Sequence, residues 1–275
     1  MARTVLITGC SSGFGRAAVV TFMHAGWNVV ATMRNTADWQ GAPPSDRLLV
    51  VPLDVRDDAT ITASVSRAIE YFGRVDCVVN NAGQGLFSVF EATPMETVQA
   101  MFDTNVFGAM RVMQAVLPHF RKLGGGRFVN VSSGSVILPE PFMSIYGASK
   151  SALDNFTEAV QYELKADNVV TKLVVPGFVP GTQFAAQTRT AAGAIQVPES
   201  SASYFAQRIA SYSEMNMHDL ASEIDVAKAI LDAAVDTTDR LRFIVGSDTA
   251  LSAHMRYETS DAAYSAWAVS KFAYH

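Results

Sequence analysis

Thr4-Val5-Leu6-Ile7-Thr8-Gly9-Cys10-Ser11-Ser12-Gly13-Phe14-Gly15, near the start of the sequence, carries the reading of the fold. Arg3–Thr8 is a short β-branched run and reads as a strand. Gly13–Gly26 reads as a helix, so the glycines join a strand directly to a helix. Glycine at these offsets allows a tight turn and lets backbone N–H groups approach an anion. The helix N-terminus adds positive potential at the same place. The stretch therefore predicts a pyrophosphate-binding turn formed by Gly9, Ser11, Ser12, Gly13, Phe14 and Gly15. The spacing is GxxxGxG rather than GxGxxG.

Outward from this turn the pattern alternates. Strands are predicted at Asn28–Met33, Arg47–Leu53, Val75–Asn80, Arg127–Ser132, Val169–Val175 and Arg242–Val245. Helices are predicted at Asp57–Phe72, Met95–Leu123, Tyr146–Ala166 and Ser222–Val235. Strand runs such as Cys77-Val78-Val79 and Leu173-Val174-Val175 are apolar without alternation, as expected of strands covered on both faces. The expected fold is α/β: one Rossmann-type doubly wound domain over residues 1–275. Its parallel seven-stranded sheet has helices on both faces. Two segments break the rhythm. Phe178–Leu220, with Phe178, Phe184, Tyr204, Phe205, Met215 and Met217 and the charges Arg189, Glu199, Arg208 and Glu214, reads as a helical substrate lid. The tail, 250–275, places Tyr264, Trp267, Lys271 and Tyr274 at helical spacing. It reads as a docked helix, with a subunit contact or a pocket wall as alternatives.

Composition narrows the function. Of 275 residues, 49% are hydrophobic and 17% charged, which supplies a large core and excludes a disordered chain. The net charge of −5, with no Lys/Arg block, argues against nucleic acid or an anionic membrane as partner. Two cysteines, Cys10 and Cys77, exclude a disulfide framework and point to a reducing compartment. The five histidines never fall at metal-ligand spacing, so no metal site is expected. No apolar run reaches the length of a membrane span, and the first residues lack a signal-peptide pattern. A cytoplasmic location is the expectation.

Two further places carry chemistry. The second strand ends in Thr32-Met33-Arg34, where a carboxylate would accept the ribose 2′-hydroxyl of NAD. A guanidinium there suits a 2′-phosphate instead, so NADP(H) is the expected cofactor, with NAD(H) as the alternative. Tyr146 and Lys150 stand i, i+4 on a predicted helix and share a face. A free tyrosine, with a pKa of about 10, is a poor proton shuttle, and a neighbouring ammonium favours its phenolate. Ser133 lies just past a strand C-terminus, where open α/β sheets bind ligands.

Taken together, these motifs resemble the short-chain dehydrogenase/reductase family over about residues 3–182. They are Thr8–Gly15, Asp54-Val55, Asn80-Asn81-Ala82-Gly83, Asn105, Ser133, Tyr146-xxx-Lys150 and Pro176-Gly177. Met95–Arg121 and Val29–Arg34 look most like the steroid- and retinol-dehydrogenase branch. The resemblance implies hydride transfer between a nicotinamide and a small-molecule carbonyl or secondary alcohol. Tyr146 would be the proton donor or acceptor and Ser133 the partner of the substrate oxygen. Lys150 would bind the nicotinamide-ribose hydroxyls and lower the Tyr146 pKa, and Asn105 would hold a proton-relay water. It further implies that Asp54 and Val55 meet the adenine, that Asn81, Ala82 and Gly83 line the adenosine side, and that Asn80 stabilises the sheet. Pro176, Gly177, Val179 and Thr182 would lie at the nicotinamide. The family often has PGxxxT, and here the run to Thr182 is one residue longer. A homodimer or homotetramer, built through Met95–Leu123 and Tyr146–Ala166, is expected by the same resemblance. The apolar lining suggests a bulky or aromatic ketone or alcohol. Two other readings are a non-catalytic dinucleotide sensor, whose family members typically lose the Tyr or the Lys, and an epimerase or dehydratase. Relatives of the latter kind usually carry TGxxGxxG and a longer C-terminal domain.

Overall fold

A computed structural model describes residues 2–180, 182, 188, 196–213 and 220–274. The expected Phe184, Arg189, Glu214, Met215 and Met217 of the lid lie outside the described residues. Seven parallel strands form one sheet. They are β1 (Thr4–Ile7), β2 (Asn28–Met33), β3 (Leu48–Pro52), β4 (Cys77–Asn80), β5 (Gly126–Val131), β6 (Val169–Pro176) and β7 (Arg242–Val245). Their order is β3-β2-β1-β4-β5-β6-β7. The direction of strand addition reverses between β1 and β4, so the crossovers on either side diverge and leave a crevice above the strand ends.

Both faces of the sheet are covered, which is why the inner strands carry buried apolar residues on both faces. On one side α1 (Gly13–His24) and α7 (Glu223–Val235) bury Phe22, Val226 and Ile230 against β1 and β6. On the other, α2 (Asp58–Phe72), α4 (Gly108–Leu123) and α5 (Ser144–Leu164) bury Ile61, Val112, Phe120 and Val160. Each such side chain stabilises the fold by about 1.5–3 kcal/mol relative to exposure. Local signals set the helix ends. The Asp57 side chain accepts from Ala59 N at the start of α2, and Gly73, at φ +78°, ends it. Ser222 and Asp225 form a reciprocal capping box on α7.

Two expectations are refined in detail. Met95–Leu123 is helical throughout but not uniformly α. α3 (Met95–Phe102) runs into α4 through a π-helical turn over Asp103–Phe107, at whose centre Asn105 lies. A π-turn adds a residue per turn and redirects side chains, which the regular apolar spacing conceals. Within the expected lid, α6 (Glu199–Ser213) is helical. The tail forms two helices rather than one, α8 (Ser247–Glu258) and α9 (Asp261–Lys271). Thr259-Ser260 separates them, and the Ser260 side chain accepts from Ala263 N to start α9. Tyr264 is buried and its hydroxyl donates to Ile137 O at 3.0 Å, whereas Tyr274 lies past the helix end and packs on Tyr204 of α6.

Candidate active site

A cleft of about 1270 Å³ opens above the C-terminal ends of the strands. One end of it is the β1–α1 turn. Gly9 has φ +72°, and a Cβ there would stand 2.9 Å from Ala82 Cα. Only glycine fits, because the turn is packed directly on the segment after β4. The two are stitched together. Thr8 Oγ1 accepts from Asn81 N and Ala82 N, both at 3.0 Å, and Asn81 Nδ2 donates to Thr8 O and Gly9 O at 2.9 and 3.2 Å. Ser11, Ser12, Gly13 and Phe14 line the cleft, but Gly15 does not. A Cβ on Gly15 would collide with Gly9 O and stand 2.6 Å from Asn81 Nδ2, so this glycine holds helix to turn.

Arg34, exposed just past β2, lines the same end, as do Asp54 and Val55 after β3. Arg56 forks onto Asp54, with Nε–Oδ1 at 3.0 Å and Nη2–Oδ2 at 2.7 Å. Those bonds, assisted by the more distant Arg34, hold the Asp54 carboxyl down at about 2. The carboxylate is therefore internally paired, and Arg34 lines this end of the cleft as a cation.

Further along, Asn81, Ala82, Gly83, Ser133, Tyr146, Lys150, Pro176, Gly177, Val179 and Thr182 line the wall. Tyr146 and Lys150 project from α5, and Ser133 follows β5. The Ser133 side chain hydrogen-bonds Tyr146 and also accepts from Ser135 N at 3.2 Å. Burial pushes the Tyr146 phenol up to about 12, against the Ser133 bond, and the nearby Glu140 charge adds to the rise. Burial alone lowers Lys150 to about 8, and its Nζ donates to Val131 O at 2.9 Å. The effect of Lys150 on Tyr146 that the resemblance implies is not among the forces on the phenol here.

Asn105 does not line the cleft. It is buried one layer behind, where its Nδ2 donates to Gln84 O (2.9 Å) and Ser149 Oγ (3.0 Å) and its Oδ1 accepts from Gln84 N (2.8 Å). Gly83 stands between it and Lys150, because a Cβ there would meet Asn105 Oδ1 at 3.3 Å and Lys150 Nζ at 3.4 Å. Asn80 donates across to Asn130 Oδ1 at 2.8 Å, tying β4 to β5. Thr182 is buried, and its hydroxyl donates to Val179 O at 3.3 Å.

The far end holds residues that sequence reasoning missed: Glu140, Tyr212, Asp248 and Thr249. Asp248 Oδ2 accepts from Phe178 N at 3.0 Å and so fixes the chain where it leaves β6. The Tyr212 hydroxyl donates to Glu140 Oε2 at 2.7 Å. One signal was available for Asp248, which follows the last strand, since residues after strand C-termini face the crevice. Around these polar groups Phe87 packs against Phe142, Phe205 and Tyr212, with ring centroids 5.6, 5.1 and 5.9 Å away. Phe142 itself has φ +65°, an unfavourable conformation for an aromatic residue, held by this cage four residues before Tyr146.

A parallel seven-stranded sheet, a glycine turn at its switch point and a Ser-Tyr-Lys wall define a dinucleotide-dependent oxidoreductase architecture. The chain belongs to the short chain dehydrogenase family, whose model matches residues 3–193. It is 31% identical over 260 residues to the uncharacterized oxidoreductase YusZ of Bacillus subtilis, covering 91% of each chain. It is 36% identical over 242 residues to retinol dehydrogenase 8 of Bos taurus, covering 83% of this chain and 77% of that protein. This agrees with the steroid- and retinol-dehydrogenase branch. A short-chain dehydrogenase structure from Streptomyces avermitilis superposes with a TM-score of 0.80 at 28% identity, covering 100% of this chain and 99% of that one. The closed form of serine dehydrogenase, complexed with NADP+, matches with a TM-score of 0.75 at 25% identity over 90% and 95% of the two chains. Structural neighbours include complexes with NADP and with NAD.

Proposed function

We propose that the protein is an NADP(H)-dependent carbonyl reductase or alcohol dehydrogenase acting on an apolar or aromatic ketone or its secondary alcohol. The observation that carries this reading is one cleft joining Arg34 and the glycine turn to the Ser133–Tyr146 pair. The residues fit a dinucleotide. The cradle at Gly9 excludes a Cβ, while Gly13, at φ +56°, has only open space where a Cβ would stand. The nicotinamide, when bound, supplies or accepts the hydride. Ser133 and Tyr146 hold the reacting oxygen and stabilise the charge that develops on it. Tyr146, with its proton held up to about 12, donates that proton in reduction at neutral pH. Lys150 binds the ribose hydroxyls, and Asn105 keeps the π-turn and the Gly83 segment in place behind it. Arg34 receives the 2′-phosphate.

A cytoplasmic homodimer or homotetramer, with neither nucleic acid nor membrane as partner, belongs to the same reading. No helix among the described residues is long and apolar enough to cross a membrane. Met95, Phe107 and Tyr162 are exposed on the two segments expected to pair. Absorbance at 340 nm with a ketone panel tests the reading. NADPH should be consumed at least about tenfold more efficiently than NADH, and Met33→Asp with Arg34→Ser should bring the ratio to one or below. Equal use of both cofactors by the wild type would remove the case for Arg34.

A further inference from the structure

We propose that Glu140 is a second recognition point of the substrate pocket, where its Oε1 accepts a hydrogen bond from a hydroxyl group that the substrate carries away from its reacting carbon. The inference deepens the proposed function and rests on it for the position of the reacting carbon. Glu140 lies half-buried in the cleft wall, six residues before Tyr146. Both of its side-chain contacts fall on one oxygen: Tyr212 donates to Oε2 at 2.7 Å, and Arg208 Nη2 stands 3.8 Å from the same atom. Among the described residues no donor reaches Oε1, and that atom is not sealed into the protein. An acceptor of this kind, left open in a partly apolar pocket, is a group a ligand satisfies at a gain.

The surroundings fix the carboxylate and select the donor. Tyr212 ionises only far above its ordinary range, because burial and the Glu140 charge oppose it, so its hydroxyl remains a donor. Arg208 is itself held between the rings of Phe272 and Tyr212, at 4.9 and 5.9 Å. Oε2 is therefore committed and Oε1 is aimed by the pair. Arg208 and Lys271 line the same cleft and balance the Glu140 and Asp248 carboxylates, so this end has no net charge to draw in an ammonium. A neutral hydroxyl avoids the cost of burying a cation and is the fitting donor. Phe87, Phe178 and Phe205 provide the apolar wall for the rest of the molecule. The ligand class is a largely apolar ketone or alcohol bearing one remote hydroxyl.

Calorimetric titration in the presence of NADP+, which cannot reduce a ketone, tests this directly. The probes are decalone- and acetophenone-type ketones, each paired with its hydroxylated and aminated analogues. Wild type should bind at least one hydroxylated ketone about tenfold more tightly than its parent. Glu140→Leu should bring that ratio close to one, and Tyr212→Phe, which releases Oε2 and loosens the carboxylate, should lower it by a smaller factor. Should Glu140→Leu fail to fold, Glu140→Gln is read instead, and the ratio should fall about threefold with the lost charge. The proposal is overturned if no hydroxylated probe is preferred or if the ratio survives in the Glu140 variant. It is also overturned if the aminated analogues gain as much. These ratios need no turnover, so failure of every ketone to support NADPH consumption would sink the proposed reaction and leave this result standing.

Discussion

The end of the cleft at the glycine turn and the end beyond Tyr146 are assembled from different distances along the chain. At the first, most lining groups lie within a few residues of a strand terminus, and hydrogen bonds such as those from the Asn81 and Ala82 N–H groups to the Thr8 hydroxyl fix it. At the second, Glu140, Phe205, Tyr212 and Lys271 come from a loop, a lid helix and the end of α9, joined by side chains. The first is therefore a rigid seat whose geometry follows from the sheet. The second is an adjustable wall whose members can change without disturbing it, as suits a substrate pocket on a shared scaffold.

The comparison is tested hardest at the join. Tyr146→Phe removes the proton donor and leaves the ring, so turnover should fall by about 10²–10⁴-fold. Cofactor affinity, measured by NADPH fluorescence, should stay near wild type, because the seat is untouched. Turnover within tenfold of wild type would deny Tyr146 its role. Gly15→Ala attacks the seat itself. Its methyl would meet Gly9 O and Asn81 Nδ2, which hydrogen-bond each other, and the cost should be up to about 3 kcal/mol in chemical denaturation. It should also weaken cofactor binding, although Gly15 does not line the cleft.

What could be read from the sequence follows the same division. Thr8–Gly15, Tyr146/Lys150 and the seven apolar runs are local patterns, and a strand end or an i, i+4 spacing places each one. The π-turn at Asn105 escaped because a single extra residue in a turn leaves the apolar periodicity of Met95–Leu123 nearly intact. The break at Thr259-Ser260 is hidden because the helical spacing of the aromatics in the tail gives no sign of the serine cap. Glu140 escaped for a different reason. Its meaning depends on Tyr212, 72 positions away, and no local rule couples a loop carboxylate to a hydroxyl on a distant helix. The polar groups among the lid aromatics were hidden in the same way, so an apolar pocket was expected where a mixed one is found.

Lys150 marks the boundary between the two ends, and its titration sharpens where the boundary lies. Its pKa is lowered from 10.5 to about 8, so the unfolded chain binds more protons between those values and stability must rise with pH across that window. The stability difference between wild type and Lys150→Met should move by about 2 kcal/mol in favour of wild type from pH 7 to 9.5. Urea denaturation at the two pH values measures it. A difference independent of pH would mean that the ammonium is solvated and the seat more open than its burial indicates.

The adjustable wall should give the smallest and most selective response. Phe205 is buried in the ring cage, 5.1 Å from Phe87 and 5.0 Å from Phe142, and makes no contact with the glycine turn. Phe205→Ala opens space beside Phe142 and should raise KM for apolar ketones about tenfold while kcat falls less. The affinity for NADPH should be unchanged, since no strand end or backbone bond of the glycine-turn end depends on this ring. If cofactor affinity fell in step with KM, the two ends would be mechanically one unit. The cage around the strained Phe142 would then be the element that couples them, because it bears on both the lid helix and the start of the helix that carries Tyr146 and Lys150.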